Sequence, residues 1–459
     1  MQSTDLVADY FTWFLRRGLN VSTGSQGHAS LSFPVFCLPG RRRRRRFSMR
    51  RVDPLKAIIV ISLSLFCAQA TAEVGGQTRF HPAALPRIKA QTDWSRALIE
   101  STMKRYPTAK DLGSWGYAKS LYLWGQYLVW QRTKDPRHLD YIKAWVDSHV
   151  DANGVVTNTN ADGKVTEISF DNLDSMLPGN LLLVLYKETK DNRYKIAADK
   201  IRKRFDTYPR TSDGGFWHAT SKNREWQLWG DGVFMSMTFL VRYGKLFGDG
   251  QYANDEATRQ LTTYAGHLND PATGLMFHAY DESGTSTWIE PGTKHSKYFW
   301  CRAMGWFGMT LIETLDLIPK NHPKRPQLIA QVKQLVKAWA NYQDKNSGLW
   351  YQVVDKGDLP ENWLETSSSS MYSYVTATAV QRGYVEKSYL QVARKGYAGV
   401  LGKISLGTDG LANITDICEG TNVADLSYYL ARKRNTNDFH GLGAFLIMNE
   451  RLMKVFPQR

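Results

Sequence analysis

A short signature recurs along this chain: a glycine, often close behind an Asp or Asn, followed by apolar or aromatic residues. It appears as Gly154-Val155-Val156, Gly215-Phe216-Trp217, Gly274-Leu275-Met276, Gly348-Leu349-Trp350 and Gly410-Leu411-Ala412. Successive copies lie about sixty residues apart, with one longer interval between Gly274 and Gly348, and a period of that length fits one helical hairpin plus its loops. A repeat of this kind restricts the chain to a stacked solenoid or a closed ring.

The apolar spacing decides which secondary structure is repeated. From about residue 85 it is mostly helical, as at Leu121, Leu128 and Val129, or Phe234, Met237 and Leu240, and long strand-like alternation is scarce. Outer helices are expected near 92–105, 136–149, 192–206, 253–267, 326–341 and 386–402. Inner helices are expected near 115–131, 177–188, 232–246, 303–318, 368–382 and 441–453. The inner set is richer in Leu, Phe, Met and Gly; the outer set carries more charge on one face, as surface helices do. Six pairs suffice to close an all-α double ring, a six-hairpin (α/α)6 barrel. An open solenoid would need polar capping repeats, and none is evident.

Each inner helix opens with a cluster rich in polar and aromatic residues. In order these are Trp115-Gly116-Tyr117, Asp171–Asp174 with Pro178-Gly179, Trp229–Gly232, Trp300-Cys301-Arg302 with Trp306, Asn362–Thr366, and Asp438–Gly441. Parallel inner helices bring all six clusters to one rim, where helix N-termini favour an anionic ligand. Loops behind the signature glycines add His218 and His278. The central stretch is Trp226–Met235, with Asp231 between two glycines and behind Trp226 and Trp229. Taken alone, Asp231 is as reasonable a helix cap as a catalyst. Aromatic walls exclude water and raise a carboxylate's pKa toward the proton-donating range. Asp174, His218, His278 and Arg302 each have an ordinary structural explanation. Their convergence on one rim argues for a site. Glu365 and Ser367–Ser370 read as helix capping.

Charge and targeting narrow the class. Half of the +16 net charge lies in residues 1–72, and nothing after them resembles a nucleic-acid-binding arm. Met49–Ala72 has a basic start, an apolar run at Ala57–Phe66 too short to span a bilayer, and a small-x-small site at Ala70-Thr71-Ala72. It is expected to be a secretory signal, with residues 1–48 a start-site extension and 85–459 the catalytic domain. The expected compartment is periplasmic or extracellular, with no stable membrane association after signal removal and no nucleic-acid partner. Beyond residue 72 only Cys301 and Cys418 remain, enough for one disulfide but not a framework. There is no H-E-x-x-H, paired C-x-x-C, phosphate loop or G-x-S-x-G elbow, so no metal or cofactor is expected. Fifteen tryptophans and twenty-three tyrosines suit a carbohydrate site as well as a core.

Six motifs, in order, resemble the unsaturated rhamnogalacturonyl hydrolases, glycoside hydrolase family 105. They are Leu173–Gly179 (L-D-S-M-L-P-G), Gly214–His218 (G-G-F-W-H), Trp226–Met235, Trp300–Trp306 (W-C-R-A-M-G-W), Asn362–Met371 and Asn437–Leu446. The resemblance runs over roughly residues 90–455. It implies a six-hairpin barrel that removes an unsaturated uronic acid from the non-reducing end of pectin-lyase products. It also implies hydration of a double bond, outside the usual two-carboxylate glycosidase scheme. Asp231 matches the family's acid/base and Asp174 its second acid, expected to hold Asp231 partly protonated. Tyr117, His218, Trp229, His278, Trp300, Arg302 and Trp306 match positions around the sugar, with Arg302 a candidate for the uronate carboxylate. The expected partner is an anionic oligosaccharide, and the expected state a monomer. Rival readings are an unsaturated glucuronyl hydrolase on glycosaminoglycan fragments, a polysaccharide lyase and a carbohydrate-binding protein.

Overall fold

The computed structural model describes residues 93–160 and 162–456. The start-site extension at 1–48 and the signal at 49–72 lie outside the described residues. Twelve long helices alternate in chain order as outer and inner members of six pairs. They are α1 (Trp94–Arg105) and α2 (Tyr117–Thr133), α3 (Pro136–Asp147) and α4 (Gly179–Thr189), α5 (Asn192–Arg204) and α6 (Gly232–Phe247), α7 (Gly250–Leu268) and α8 (Cys301–Leu317), α9 (Arg325–Tyr342) and α10 (Thr366–Gln381), and α11 (Leu390–Leu401) with α13 (Phe439–Leu452). A short α12 (Leu426–Leu430) precedes the last inner helix. Each expected helix is present, most with ends shifted by only a few residues.

The inner helices close a ring. α2 packs on α4, α4 on α6, α6 on α8, α8 on α10, α10 on α13, and α13 back on α2. Each outer helix bridges two inner ones; α1 seals the seam by packing on α13 and α2. Closure at that seam depends on two small residues. A Cβ on Gly125 would sit 2.6 Å from Leu446, and one on Gly443 would sit 2.6 Å from Leu121, so any side chain there would force α2 and α13 apart.

The polar sequence of α10 needs explanation, because Thr366–Ser370 are fully buried. Its hydroxyls turn back onto its own backbone: Ser369, Ser370 and Ser373 donate to the carbonyls of Glu365, Thr366 and Ser369 at 2.6–2.9 Å. A Ser/Thr-rich helix can therefore line the interior with most of its hydroxyls paired, Thr376 being an exception.

The recurring glycine is the turn that follows each outer helix. Gly154, Gly274, Gly348 and Gly410 have φ between 69° and 75°, and Gly214 takes that place in the second copy with φ 97°. Left-handed backbone is open to glycine at no steric cost, which fixes the residue type. Gly113, after α1, is a sixth copy (φ 84°) whose following residues lack the apolar pair. Behind these turns the chain forms two-stranded antiparallel ladders that the helical reading did not anticipate. The first pairs β1 (Thr157–Thr159) with β2 (Val165–Glu167); another, β3 (Gln227–Trp229) with β4 (Ala279–Asp281), carries the approach to Asp231.

Candidate active site

Asp231 occupies the position before α6, but its side chain makes no capping hydrogen bond. Its Oδ2 instead lies 3.3 Å from Nε2 of His278, close but off the line of a well-formed hydrogen bond. The other nitrogen of His278 is 2.7 Å from the Tyr429 hydroxyl, which holds the ring in place. Two other inner helices show what true capping looks like: Glu365 accepts from Ser368 N–H and Asp438 from His440 N–H. Capping is thus correct for Glu365 and does not describe Asp231. The glycine after Asp231 has a spatial reason: a Cβ on Gly232 would meet Leu173 at 2.9 Å and His218 at 3.4 Å.

Asp174 faces the same space from a 3-10 turn, Leu173–Met176, whose cap is Asn172 rather than Asp174. Its Oδ1 lies 3.8 Å from Nε2 of His218. The His218 ring lies flat on Trp229, centroids 4.5 Å apart at 6°, and burial pushes its pKa down to about 3. Burial, reinforced by the charge of Asp231, pushes Asp174 up to about 7. Burial also pushes Asp231 upward, but His278 and Arg302 outweigh it and leave Asp231 below the ordinary value. The order is the reverse of that expected from the aromatic setting: Asp174 holds the proton, and Asp231 is ionised. Sequence proximity made Trp226 and Trp229 seem the controlling neighbours. The controlling groups are cations and imidazoles that only the folded ring delivers.

Tyr117 enters from the first inner helix. Its hydroxyl is 2.7 Å from Nε2 of His440, whose Nδ1 is 2.6 Å from Asp438. The Asp438 carboxylate accepts a hydrogen bond from Nδ1–H, so Nε2 is the acceptor and the Tyr117 hydroxyl donates to it. Burial and the nearby Asp174 push the Tyr117 pKa further up, keeping the phenol protonated. His440 and Asp438 stood in a rim cluster of the sequence without an assigned role; their link to Tyr117 joins residues far apart in the chain and has no local signal.

Three expected ligand contacts are corrected by burial. Trp306 is fully buried, packed against Phe234 and edge-on beneath Tyr117, so it supports the rim and offers no surface to a sugar. Arg302 is also fully enclosed. It donates to the carbonyls of Cys418 and Glu419 at 2.6 and 2.7 Å and to Ser367 at 3.2 Å, and lies 3.8 Å from Glu365. Its guanidinium ties the α8, α10 and α12 regions together and acts on Asp231 through its charge. Trp300 is likewise interior, with its ring 4.5 Å from His278. The cation that does reach the mouth is Arg224, which sequence reading missed because it lies in a loop outside the six clusters. It is half-buried, stacks 4.4 Å over Trp229, and acts on both His218 and Asp174.

Cys301 and Cys418 are free, buried thiols on either side of Gln352, at 3.8 and 2.9 Å from its amide. Among the described residues one carboxylate–imidazole group has metal-like spacing: Glu100, Asp135 and His138, with atoms within 4.8 Å of one another. Arg137 already bridges its two carboxylates at 2.6 Å each, far from the rim. No helix of the described residues is long and apolar enough to cross a membrane.

Residues 94–455 match the profile of Glycosyl Hydrolase Family 88. A glycoside hydrolase from family 105 of C. acetobutylicum ATCC 824 is 34% identical, with TM-score 0.72, covering 78% of this chain and 99% of that one. The unsaturated rhamnogalacturonyl hydrolase YesR of Bacillus subtilis is 26% identical over 281 residues, 60% of this chain and 74% of that protein. An unsaturated glucuronyl hydrolase from Bacillus sp. GL1 shares the fold alone, with 11% identity and TM-score 0.56 over 78% of this chain and 94% of its own. A profile running through all six hairpins, and a family 105 structure matched over almost its whole length, lead to one conclusion: the chain belongs to the family 88 and 105 group of glycoside hydrolases, as a family 105 member acting on unsaturated uronyl glycosides.

Proposed function

We propose that this enzyme hydrates the C4–C5 double bond of a terminal unsaturated galacturonosyl residue on rhamnogalacturonan-derived oligosaccharides. The observation that carries the chemistry is the Asp174–Asp231 pair, one carboxyl with a pKa near 7 and its partner ionised, in one buried mouth. The substrate class is supported by the similarity to YesR. Hydration needs a proton at C4 and a water oxygen at C5. With a pKa near 7, Asp174 is about half protonated at neutral pH, and a bound anionic sugar raises both carboxyl pKa values, which favours the protonated form until transfer. Asp231 is the acid/base: it takes the proton held by Asp174, passes it to C4, receives one from the water that attacks C5, and returns it to Asp174 to complete the cycle. Asp174 supplies the proton reserve. The resulting hemiketal at C5 opens to a ketone, and collapse at C1 expels the shortened oligosaccharide, leaving the uronic acid in a saturated 4-deoxy-5-keto form. Neutral His218, on Trp229, positions the ring, and Tyr117 presents its hydroxyl oxygen to the sugar. Arg224, not Arg302, receives the uronate carboxylate.

The secretory signal expected at Met49–Ala72 supports a periplasmic or extracellular place of action, where lyase products accumulate. The test uses lyase-generated rhamnogalacturonan disaccharides and follows the ultraviolet absorbance of the conjugated uronate. It falls with the wild type and holds steady with Asp231→Asn. A rise in absorbance on intact polymer would mark a lyase and sink the proposal. Faster loss on glycosaminoglycan disaccharides would reassign the sugar.

A further inference from the structure

Beside the catalytic mouth, and separate from its aspartates, a groove of about 510 Å³ runs between the loop before β3 and the loop after β4. Trp226 and Trp288 line it, together with Lys222, Glu225, Ser283 and Thr285. We propose that this groove is a saccharide subsite, which holds the sugars that follow the terminal uronate.

Four observations carry it. Trp226 is 41% exposed, the most open of the large aromatic side chains among the described residues, with its ring 4.6 Å from Trp217. Its backbone sits at φ 65°, a conformation that costs a bulky residue energy and persists only where the surroundings impose it. An indole that is both strained and uncovered contributes little to the core, whereas its flat face suits the apolar face of a sugar ring. Second, the Trp217 indole N–H is buried with no protein partner, a free donor behind that face. Third, the groove is wired to the site. Gln227 donates to Ser286 at 3.0 Å and accepts from the indole N–H of Trp229, the ring that carries His218. Trp288 packs on the same Trp229 cluster. Fourth, the reach is right: Trp226 lies three residues before Trp229, at most about 10 Å of extended chain, so the groove is within a short oligosaccharide's reach of the mouth. The hydroxyls and amides around the rings match a neutral sugar, and Lys222 offers a cation to a further uronate.

The inference rests on the hydratase reading for the direction in which the chain runs, so its test avoids turnover. Rhamnogalacturonan disaccharide and hexasaccharide, their terminal double bonds reduced, are titrated into the full-length protein by calorimetry. Wild type binds the hexasaccharide more tightly than the disaccharide. Trp226→Ala lowers that preference about tenfold, as loss of one ring contact would. Trp226→Phe, which keeps a flat ring, recovers most of it, and unchanged melting separates binding loss from misfolding. Equal wild-type affinity for the two lengths, or a preference unmoved within about twofold by Trp226→Ala, would overturn the subsite. Failure of the hydratase reading would instead appear as wild type leaving the unsaturated disaccharide intact.

Discussion

The barrel has two mouths, and they treat polar groups in opposite ways. Where the inner helices end lies a cavity of about 400 Å³, lined by Trp124, Arg242, Glu313, Asp316, Tyr374 and Glu450 among others. Every carboxylate there has an arginine: Glu313 with Arg242, Asp316 with Arg382 and Arg451, Glu450 with Arg132. Where the inner helices begin, the groups are only partly satisfied. Asp231 Oδ2, His278 Nε2, His218 Nδ1 and the Arg302 Nε are buried without a hydrogen-bond partner. Unpaired buried polar atoms cost stability; they occur elsewhere in the ring singly, as at Tyr122 and Thr314, but here two imidazoles and a carboxylate face one space, as a ligand site requires. The contrast between a sealed end and an unfinished end therefore locates the chemistry without reference to any sequence motif.

The sharpest way to break this contrast is to remove the unfinished end's acid/base. Asp231→Asn is expected to lower turnover by roughly a thousandfold, within the range for loss of a general acid/base, while the melting temperature stays level or rises. A collapse of folding with activity per folded molecule retained would return Asp231 to a structural role. Next in size is the frame beneath it. Glu365→Ala leaves Arg302 buried without its carboxylate partner and removes the cap of α10. The expected loss is about 3–5 kcal/mol, read by urea denaturation. A loss below about 1 kcal/mol would show that the carbonyls of Cys418 and Glu419 are enough for Arg302.

The titration of Asp174 sharpens the comparison further. Its pKa is raised to about 7 in the folded protein from an ordinary 3.8. A raised value means the proton is held more tightly by the fold than by the unfolded chain. The associated stability is full below about pH 4 and lost as pH rises through 7. Asp174→Asn removes that pH-dependent loss, so its melting temperature should exceed the wild type's at pH 8 and match it near pH 4, with turnover reduced about a hundredfold. Turnover in the wild type should decline on the alkaline side near pH 7, shifted upward when substrate saturates. A wild type equally stable at both pH values would show that Asp174 titrates normally.

The scaffold was legible in the sequence because its determinants are local. Helical spacing and turn glycines report on residues a few positions apart, and all twelve long helices follow from them. The rim was legible as a set, since parallel inner helices must bring their first turns together. What sequence could not show was the direction of each side chain within the set. Trp300, Arg302 and Trp306 belong to one rim motif, yet the start of α8 turns all three into the interior. Arg224 was missed for the opposite reason: a lone loop arginine carries no pattern. The inverted order of the two aspartates was hidden because His278 and Arg302 approach Asp231 from other hairpins. Local spacing predicts frames well and cross-ring electrostatics poorly.

The smallest predicted effect lies at the sealed end and serves as its control. Glu313 is buried there, paired with Arg242, which also stacks over Trp124 and donates to Asn180. Glu313→Gln keeps shape and one hydrogen-bond acceptor but removes the charge, and Arg242 retains its other contacts. The expected cost is roughly 1–2 kcal/mol, between the values for exposed and enclosed pairs, with turnover per folded molecule unaltered on disaccharide. If the variant instead lost turnover tenfold while keeping its melting temperature, charge at the far mouth would have to act along the barrel axis on the catalytic aspartates. The division of the barrel into a structural end and a chemical end would then fail, because the paired carboxylates would be part of the electrostatics that set Asp174 and Asp231.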